Sequence, residues 1–132
     1  MIGGPRKSFL SPLLGADDSS FVLTNTRTGH IVARTLLTAF DSASRRRGLL
    51  GRDSMADYTA LIIAPSNAIH TFTMRFAIDV AFVSTDGRVL KVRTALPPWR
   101  VAAAWRGFAV IEMAAGALEK SDTRPGDVLR LV

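Results

Sequence analysis

The fold is decided by residues 69–92, which read IHTFTMRFAIDVAFVSTDGRVLKV. Within this stretch Asp86-Gly87 separates two runs of apolar, largely β-branched residues, at 78–83 and 89–92. An Asp-Gly pair supplies the positive φ angles of a two-residue hairpin turn, so the two runs are predicted to be antiparallel partners. Residues 70–75 also alternate with a period of two, which indicates a further extended segment upstream of the hairpin.

Asp79 is the polar exception within the first hairpin strand. Side chains alternate between the two faces of a strand, so Asp79 shares its face with Ala81 and other apolar neighbours. An unpaired carboxylate in such surroundings is unfavourable. We therefore expect Asp79 to pair with Arg52, His70 or Arg75, and the sequence leaves these three alternatives open.

The same stretch carries a family resemblance. The segments concerned are His70-Thr71-Phe72-x-Met74-Arg75-Phe76-x-Ile78-Asp79-Val80-x-Phe82, Asp86-Gly87-x-Val89, Pro98-Trp99-Arg100, Arg47-Gly48-Leu49-Leu50-Gly51-Arg52, Val110-Ile111-Glu112-Met113-Ala114-Ala115-Gly116 and Gly126-Asp127-Val128-Leu129. In their order along the chain these segments resemble the domain-of-unknown-function family number 192. Ala77 and Ala114 depart from its pattern, which usually has proline at both places. The resemblance implies a small, mostly β domain with no established activity.

Length and composition predict one domain of mainly β structure. The chain has 132 residues, of which 48% are hydrophobic and 21% charged, as in ordinary globular proteins. Residues 1–20 are predicted to be a flexible N-terminal arm and residues 21–132 a single β domain. Many short strands separated by turn signals favour a small β barrel or sandwich with one or two short helices.

The remaining elements follow from local patterns. Further strands are predicted at Phe21–Asn25, Ile31–Phe40, Thr59–Ala64, Phe108–Met113 and Val128–Val132. One short helix is predicted to begin after Asp41, which can cap its free amides, and to end at Gly51. Leu49 and Leu50 are expected to face the core.

Charge and cysteine content limit the function classes. The net charge is +6, with 14 Arg and 3 Lys, which favours anionic partners unless the arginines simply form a solvated face. Arg45-Arg46-Arg47 is the one basic run, and we expect its side chains to fan around the helix and not to line a single groove.

The absence of cysteine excludes disulfides, thiolate metal sites and cysteine nucleophiles. No apolar segment is long enough to span a membrane, and a cytoplasmic location is expected.

Polar and aromatic residues near the hairpin form the candidate binding site. They are Arg52, His70, Arg75, Asp79, Trp99, Arg100 and Glu112. These residues are typical of a buried Arg–carboxylate network that fixes strand register, or of a pocket for a small ligand. The spacing of His70, Asp79 and Glu112 matches no metal motif, so no metal site is predicted. No cofactor and no catalytic residue are predicted either.

Three functions remain open from the sequence. The favoured one is a non-catalytic binding or accessory domain for a polar or anionic ligand or a protein partner, with a pocket between Arg52, His70, Asp79 and the Trp99–Trp105 loop. The second is a hydrolase-type enzyme that uses His70 and Asp79 as acid and base, although no Gly-x-Ser-x-Gly motif accompanies them. The third, not favoured, is a nucleic-acid-binding protein.

That third alternative depends on two kinds of basic segment. One is the Arg45–Arg47 run, and the other consists of the pairs Trp99-Arg100 and Trp105-Arg106. Aromatic faces beside guanidinium groups can stack on bases while arginines contact phosphates. Such binding is expected to weaken steeply with salt.

Overall fold

Three β-sheets and two short α-helices make up the fold in the computed structural model, which describes residues 8–14 and 21–132. The strands are β1 (Leu23–Asn25), β2 (Ile31–Ala33), β3 (Thr35–Ala39), β4 (Thr59–Ile63), β5 (Ala68–His70), β6 (Ile78–Val83), β7 (Val89–Leu96), β8 (Val101–Ala103), β9 (Ala109–Ala114) and β10 (Leu129–Leu131). The helices are α1 (Ser42–Arg47) and α2 (Ala117–Lys120).

A five-stranded central sheet has the order β3-β4-β9-β6-β7. Only its β3–β4 pair is parallel; the other neighbours are antiparallel. A three-stranded sheet, β10-β1-β2, packs on one face together with α2, and the two-stranded sheet β5-β8 packs on the other with the segment after α1. None of the sheets formed by the described residues closes into a barrel. The mainly β prediction is confirmed in its sandwich form.

The alternation predicted for β6 is confirmed. Ile78, Val80 and Phe82 contribute to the core beneath β5–β8, while Ala81 and Val83 contribute to the core beneath the three-stranded sheet. All six residues of β6 are buried. The strand is therefore a nearly continuous apolar run because both of its faces are covered.

The β6–β7 turn differs from the prediction by one residue. The Ser84 N–H donates to the Arg88 carbonyl (2.9 Å) and the Gly87 N–H to the Ser84 carbonyl (3.0 Å), which leaves a three-residue loop. Gly87 takes φ +86°, whereas Asp86 is not among the residues with positive φ. This loop requires one left-handed residue, not the two of a type I′ turn. Glycine fulfils that requirement.

The predicted strand at Ile31–Phe40 is in fact two strands, β2 and β3, in different sheets. At the junction, the N–H groups of Arg34 and Thr35 both donate to the Tyr58 carbonyl, at 2.7 and 3.0 Å. Two consecutive amides cannot point to one acceptor within a regular ladder, so the chain leaves one sheet and enters the other here.

Two other local predictions were also wrong in detail. Residues 71–77 are turns and not a strand, because the extended segment ends at His70 where its β8 partner begins. Helix α1 ends with Gly48 as its C-cap, not Gly51. Leu49 is buried as expected, but Leu50 is 36% exposed.

Part of the segment predicted to be a flexible arm is packed. A 3-10 helix at Ser11–Leu13 places Leu10 and Leu13 in the core beneath the three-stranded sheet. Residues 1–7 and 15–20 lie outside the described part of the chain. In the described part, no helix is long and apolar enough to cross a membrane.

Candidate functional site

A cavity of about 570 Å³ lies beside α1. We call it the α1 cavity. Its lining residues come from α1 and the turn that follows it, from β4 and β9 of the central sheet, and from the region around β5: Ser42, Arg45, Arg46, Arg47, Gly48, Leu49, Leu50, Ile63, Ser66, Ala68, Ile69, His70, Met74 and Glu112. The floor is thus the buried sheet and the rim is basic.

Helix α1 is held in place at both ends. The Ser44 N–H donates to Oδ1 of Asp41 (2.7 Å), as predicted for a helix cap, and the Gly48 N–H donates to the Ser44 carbonyl (2.9 Å). The guanidinium group of Arg45 donates to the Phe40 carbonyl (2.7 Å). These contacts fix a six-residue helix none of whose side chains is buried.

Arg45, Arg46 and Arg47 all border the cavity. The expectation that they could not line one groove was wrong. The cavity extends along α1 from Ser42 to the turn after Arg47, so consecutive residues of this short helix border it. Among the described residues, no side-chain hydrogen bond or ion pair occupies Arg46 or Arg47, so both guanidinium groups are available to a ligand.

Glu112 lies in the sheet that forms the floor. Its neighbours across the sheet are Leu61 and Val80, and both are apolar. The carboxyl group is buried, and its Oε2 atom has no hydrogen-bond partner among the described residues. Burial raises the pKa of Glu112 to about 7, from an ordinary value of 4.5. Near neutral pH a large fraction of this group is therefore an uncharged acid that can donate a hydrogen bond.

His70 connects the cavity to an exposed row of rings. The Phe72 N–H donates to Nδ1 of His70 (3.3 Å), which directs the ring proton to Nε2. The His70 ring lies 4.9 Å from the Phe72 ring, and Phe72 lies 5.8 Å from Trp99. His70 thus belongs both to the cavity rim and to this row.

The charge of the cavity lining favours anions. Three arginines border it, whereas Glu112 is the one acidic residue in the lining, so the lining is positive even when Glu112 is ionised. Carbonyl groups at the end of α1 carry partial negative charge, but three guanidinium groups outweigh them. Among the described residues, no three His, Asp or Glu side chains gather closely enough to hold a metal ion.

The structure brings together only two of the seven predicted site residues in this cavity, His70 and Glu112. Arg52 is exposed and does not border it, and Arg75 forms an exposed ion pair with Asp53 (2.6 Å). The pocket expected between Arg52, His70, Asp79 and the tryptophan loop is therefore not the cavity that forms.

Asp79 pairs with no arginine or histidine, contrary to expectation. Its carboxylate accepts hydrogen bonds from the backbone N–H groups of Ala95 (2.9 Å), Gly116 (3.1 Å) and Leu118 (2.9 Å). It lies on the face of β6 opposite the α1 cavity. Asp79 and His70 are consequently not arranged as an acid–base pair, and Asp79 ties α2 and β7 to the central sheet.

Trp99 and Arg100 lie next to the cavity and not in its lining. Trp99 is 63% exposed, and the guanidinium group of Arg100 turns back to the carbonyls of Pro98 and Trp99, at 3.4 Å each. Trp105 is 88% exposed and is not part of the row formed by His70, Phe72 and Trp99.

Several cavity residues are missing from the sequence-based site. Ser42, Ser66 and Met74 gave no signal, because serines near turns and an isolated methionine are common features. Phe72 belongs to the period-two pattern of residues 70–75, which predicts a strand and not a binding site. The Arg45–Arg47 run was noticed, but its proximity to Glu112 depends on a contact between distant parts of the chain.

Comparison with known proteins identifies a family and two similar structures. The profile of the family DUF192, described as "Uncharacterized ACR", matches residues 23–131. No curated protein matches the chain. Two crystal structures share the fold.

One is a protein of unknown function from Novosphingobium aromaticivorans DSM 12444, with a TM-score of 0.69 and 24% identity over 83% of this chain and 82% of that one. The other, from Sinorhizobium meliloti 1021, is described as a "putative transcription regulator", with a TM-score of 0.70 and 19% identity over 83% of this chain and 90% of that one. At these identities the likeness shows the fold alone.

Proposed function

The chain belongs to the domain-of-unknown-function family number 192, an uncharacterised family, and we propose that this protein binds a small anionic ligand in the α1 cavity. The observation that carries the proposal concerns Glu112, which borders a cavity lined by three arginines and whose buried Oε2 atom has no hydrogen-bond partner among the described residues. Buried polar groups in folded proteins are nearly always paired, so an unpaired oxygen on a residue that borders a cavity points to a missing partner.

Arginines and the acid have complementary roles in this proposal. Arg46 and Arg47 supply charge and planar donors that suit a phosphate or carboxylate. Glu112, in its uncharged form, donates a hydrogen bond from below to an oxygen of the same anion. The Nε2–H of His70 is a further donor at the rim. A cationic ligand is disfavoured because the lining carries at least two net positive charges.

The experiment is a thermal-shift and calorimetric titration with inorganic phosphate, citrate and ribose 5-phosphate at constant ionic strength. A ligand that binds only the folded chain raises its melting temperature by mass action. The double variant Arg46→Ala/Arg47→Ala is expected to lose about tenfold or more in affinity, which corresponds to about 1.4 kcal/mol.

The matched control is the double variant Arg106→Ala/Arg124→Ala, which removes the same charge from two exposed residues outside the cavity. Its affinity should stay within about twofold of the original, because exposed distant charges are screened by salt. Equal losses in the two double variants, or no binding of any of the three anions, would overturn the proposal.

The pH dependence gives a second test of the role of Glu112. Since the anion needs the protonated form, affinity should fall as the pH rises above about 7. Glu112→Gln keeps a donor without ionising, so its affinity should not show the fall between about pH 7 and about pH 8.5, where the phosphate ligands are already mainly dianions. A variant with the same pH dependence as the original chain would remove Glu112 from the site.

A further inference from the structure

We infer that the ligand of the α1 cavity carries a planar aromatic ring beside its anionic group, and that this ring stacks on the row formed by His70, Phe72 and Trp99. The inference rests on the proposed anion site and adds the chemical class of the ligand. We call these three side chains the ring row.

The ring row begins at the cavity and runs outward. His70 borders the cavity, its ring centre is 4.9 Å from that of Phe72, and Phe72 is 5.8 Å from Trp99. The rings are tilted by only 30° and 26° from one another. The Phe72–Trp99 pair is stacked and the His70–Phe72 pair is tilted, and both centroid distances are within the range of interacting aromatic pairs.

The ring row is exposed where apolar side chains would ordinarily be buried. Phe72 is 41% exposed and Trp99 is 63% exposed. Val101, which pairs with His70 across β5 and β8, is exposed beside them. Contiguous exposed apolar groups of this kind mark binding surfaces, and this one is continuous with the basic cavity.

A buried threonine holds the two loops that present the rings. Oγ1 of Thr71 donates to the Pro97 carbonyl (2.7 Å) and accepts from the Arg100 N–H (2.9 Å), while the Trp99 N–H donates to the Thr71 carbonyl (3.0 Å).

Thr73 and Trp99 take φ values of +63° and +66°, which side chains of L-residues rarely adopt. The surrounding contacts maintain this unfavourable backbone, and strained backbone of this kind is concentrated at binding sites. The rings are therefore held in place before any ligand arrives, which reduces the entropy lost on binding.

Charge and shape together select the ligand class. A ring on the row is next to His70, so an anionic group attached to it is directed toward the arginines at the cavity rim. A nucleoside monophosphate and an aromatic carboxylate share this chemistry, and both are included in the test. A protein partner would not need the cavity behind the row, and an anion without a ring would not need the row.

The test compares matched ligands by calorimetry. Adenosine 5′-monophosphate is paired with ribose 5-phosphate, and indole-3-acetate with acetate, so that each pair differs by the ring. We expect at least one ring-bearing anion to bind about tenfold more tightly than its partner, since stacking of one base on an aromatic side chain contributes about 1–3 kcal/mol.

Variants test whether the tighter binding of the ring-bearing anion depends on the ring row. Trp99→Ala should remove most of it while the affinity for ribose 5-phosphate stays unchanged, Trp99→Phe should retain it, and the control Trp105→Ala should have no effect. The inference is overturned if neither ring-bearing anion binds more tightly than its ring-free partner, or if Trp99→Ala leaves the difference in affinity unchanged. In that case binding of ribose 5-phosphate would still support the anion site, whereas failure of every anion would overturn both.

Tighter binding of a single-stranded oligonucleotide than of adenosine 5′-monophosphate, with a steep salt dependence, would also overturn the inference. It would indicate a nucleic-acid surface in place of a small-molecule site.

Discussion

Two buried acids on neighbouring strands of the central sheet have opposite surroundings. Asp79 on β6 accepts three backbone N–H groups, while Glu112 on β9 has an oxygen without any partner among the described residues. The satisfied acid connects elements of the fold. The unsatisfied one belongs to a residue that borders a cavity, and at the scale of single residues this contrast separates structure from candidate function.

Removing the charge of Glu112 should change how stability depends on pH. Its pKa is raised from 4.5 to about 7 in the folded chain, so the folded state binds more protons than the unfolded state between these values. The free energy of unfolding therefore falls as the pH rises from about 4.5 to about 7, by about 3 kcal/mol in total. Glu112→Gln should lack this fall, as measured by urea unfolding across that range.

Glu119→Gln is the control, because Glu119 is the other glutamate of the chain and is exposed. It should reproduce the pH profile of the original protein. If Glu112→Gln showed the same fall in stability as this control, the buried carboxyl would not be the titrating group.

At this scale the sequence located two buried acids in the central strands but did not predict their hydrogen-bond partners. Asp79 and Glu112 were both selected as acids within apolar strands. Their partners are backbone amides in one case and a cavity in the other, and both are produced by segments far away in the chain. Strand periodicity carries information about faces and not about such distant neighbours.

At the scale of elements, the β6–β7 hairpin is secured by its turn. The Leu129 N–H donates to the Gly87 carbonyl (2.8 Å), and a Cβ atom at Gly87 would lie 2.4 Å from the Leu129 carbonyl oxygen. Glycine is required here for two reasons, the positive φ and the close approach of β10.

Gly87→Ala should therefore destabilise the fold by about 3 kcal/mol, since backbone strain and a steric clash add. Gly126→Ala is the matched control, because Gly126 also has positive φ (+96°) but has no atom within 4 Å of the added Cβ. It should lose only about 1 kcal/mol. Equal losses in urea unfolding would show that the contact with β10 does not matter.

The elements that were predicted well are those whose signals are local. The apolar runs of β4, β6 and β9 and the cap at Asp41 lie close to the predicted positions. The division of residues 31–40 into two strands depends on Tyr58, which receives both junction amides. The two-stranded sheet β5–β8 was missed because each strand has only three residues, of which at most one is buried, so neither gives an apolar signal.

At the scale of the whole molecule, acids with opposite surroundings set the pH of maximum stability. The hydrogen bond from Arg27 holds the pKa of Asp127 well below its ordinary 3.8, so this stabilisation is present above that value and is lost as the pH falls below it. Glu112 acts in the other direction above 4.5.

The ligand-free protein should therefore be most stable on the acidic side of neutrality, between about pH 4 and about pH 5. Unfolding midpoints measured from pH 2.5 to 9 would test this. Asp127→Asn should flatten the acidic side of the profile and Glu112→Gln the neutral side. A maximum at or above about pH 7.5 would contradict the opposing roles of the two acids.

The central claim is that the α1 cavity binds an anion, and an NMR titration of the ¹⁵N-labelled chain with ribose 5-phosphate tests it most directly. At constant ionic strength, saturable shifts are predicted for the amides of Arg46, Arg47, Gly48, Ile69 and His70. The side-chain carboxyl of Glu112 should titrate at a higher pH when the ligand is present. Shifts that do not saturate, or that fall mainly on basic residues outside the cavity such as Arg27, Arg88 and Arg130, would contradict the claim.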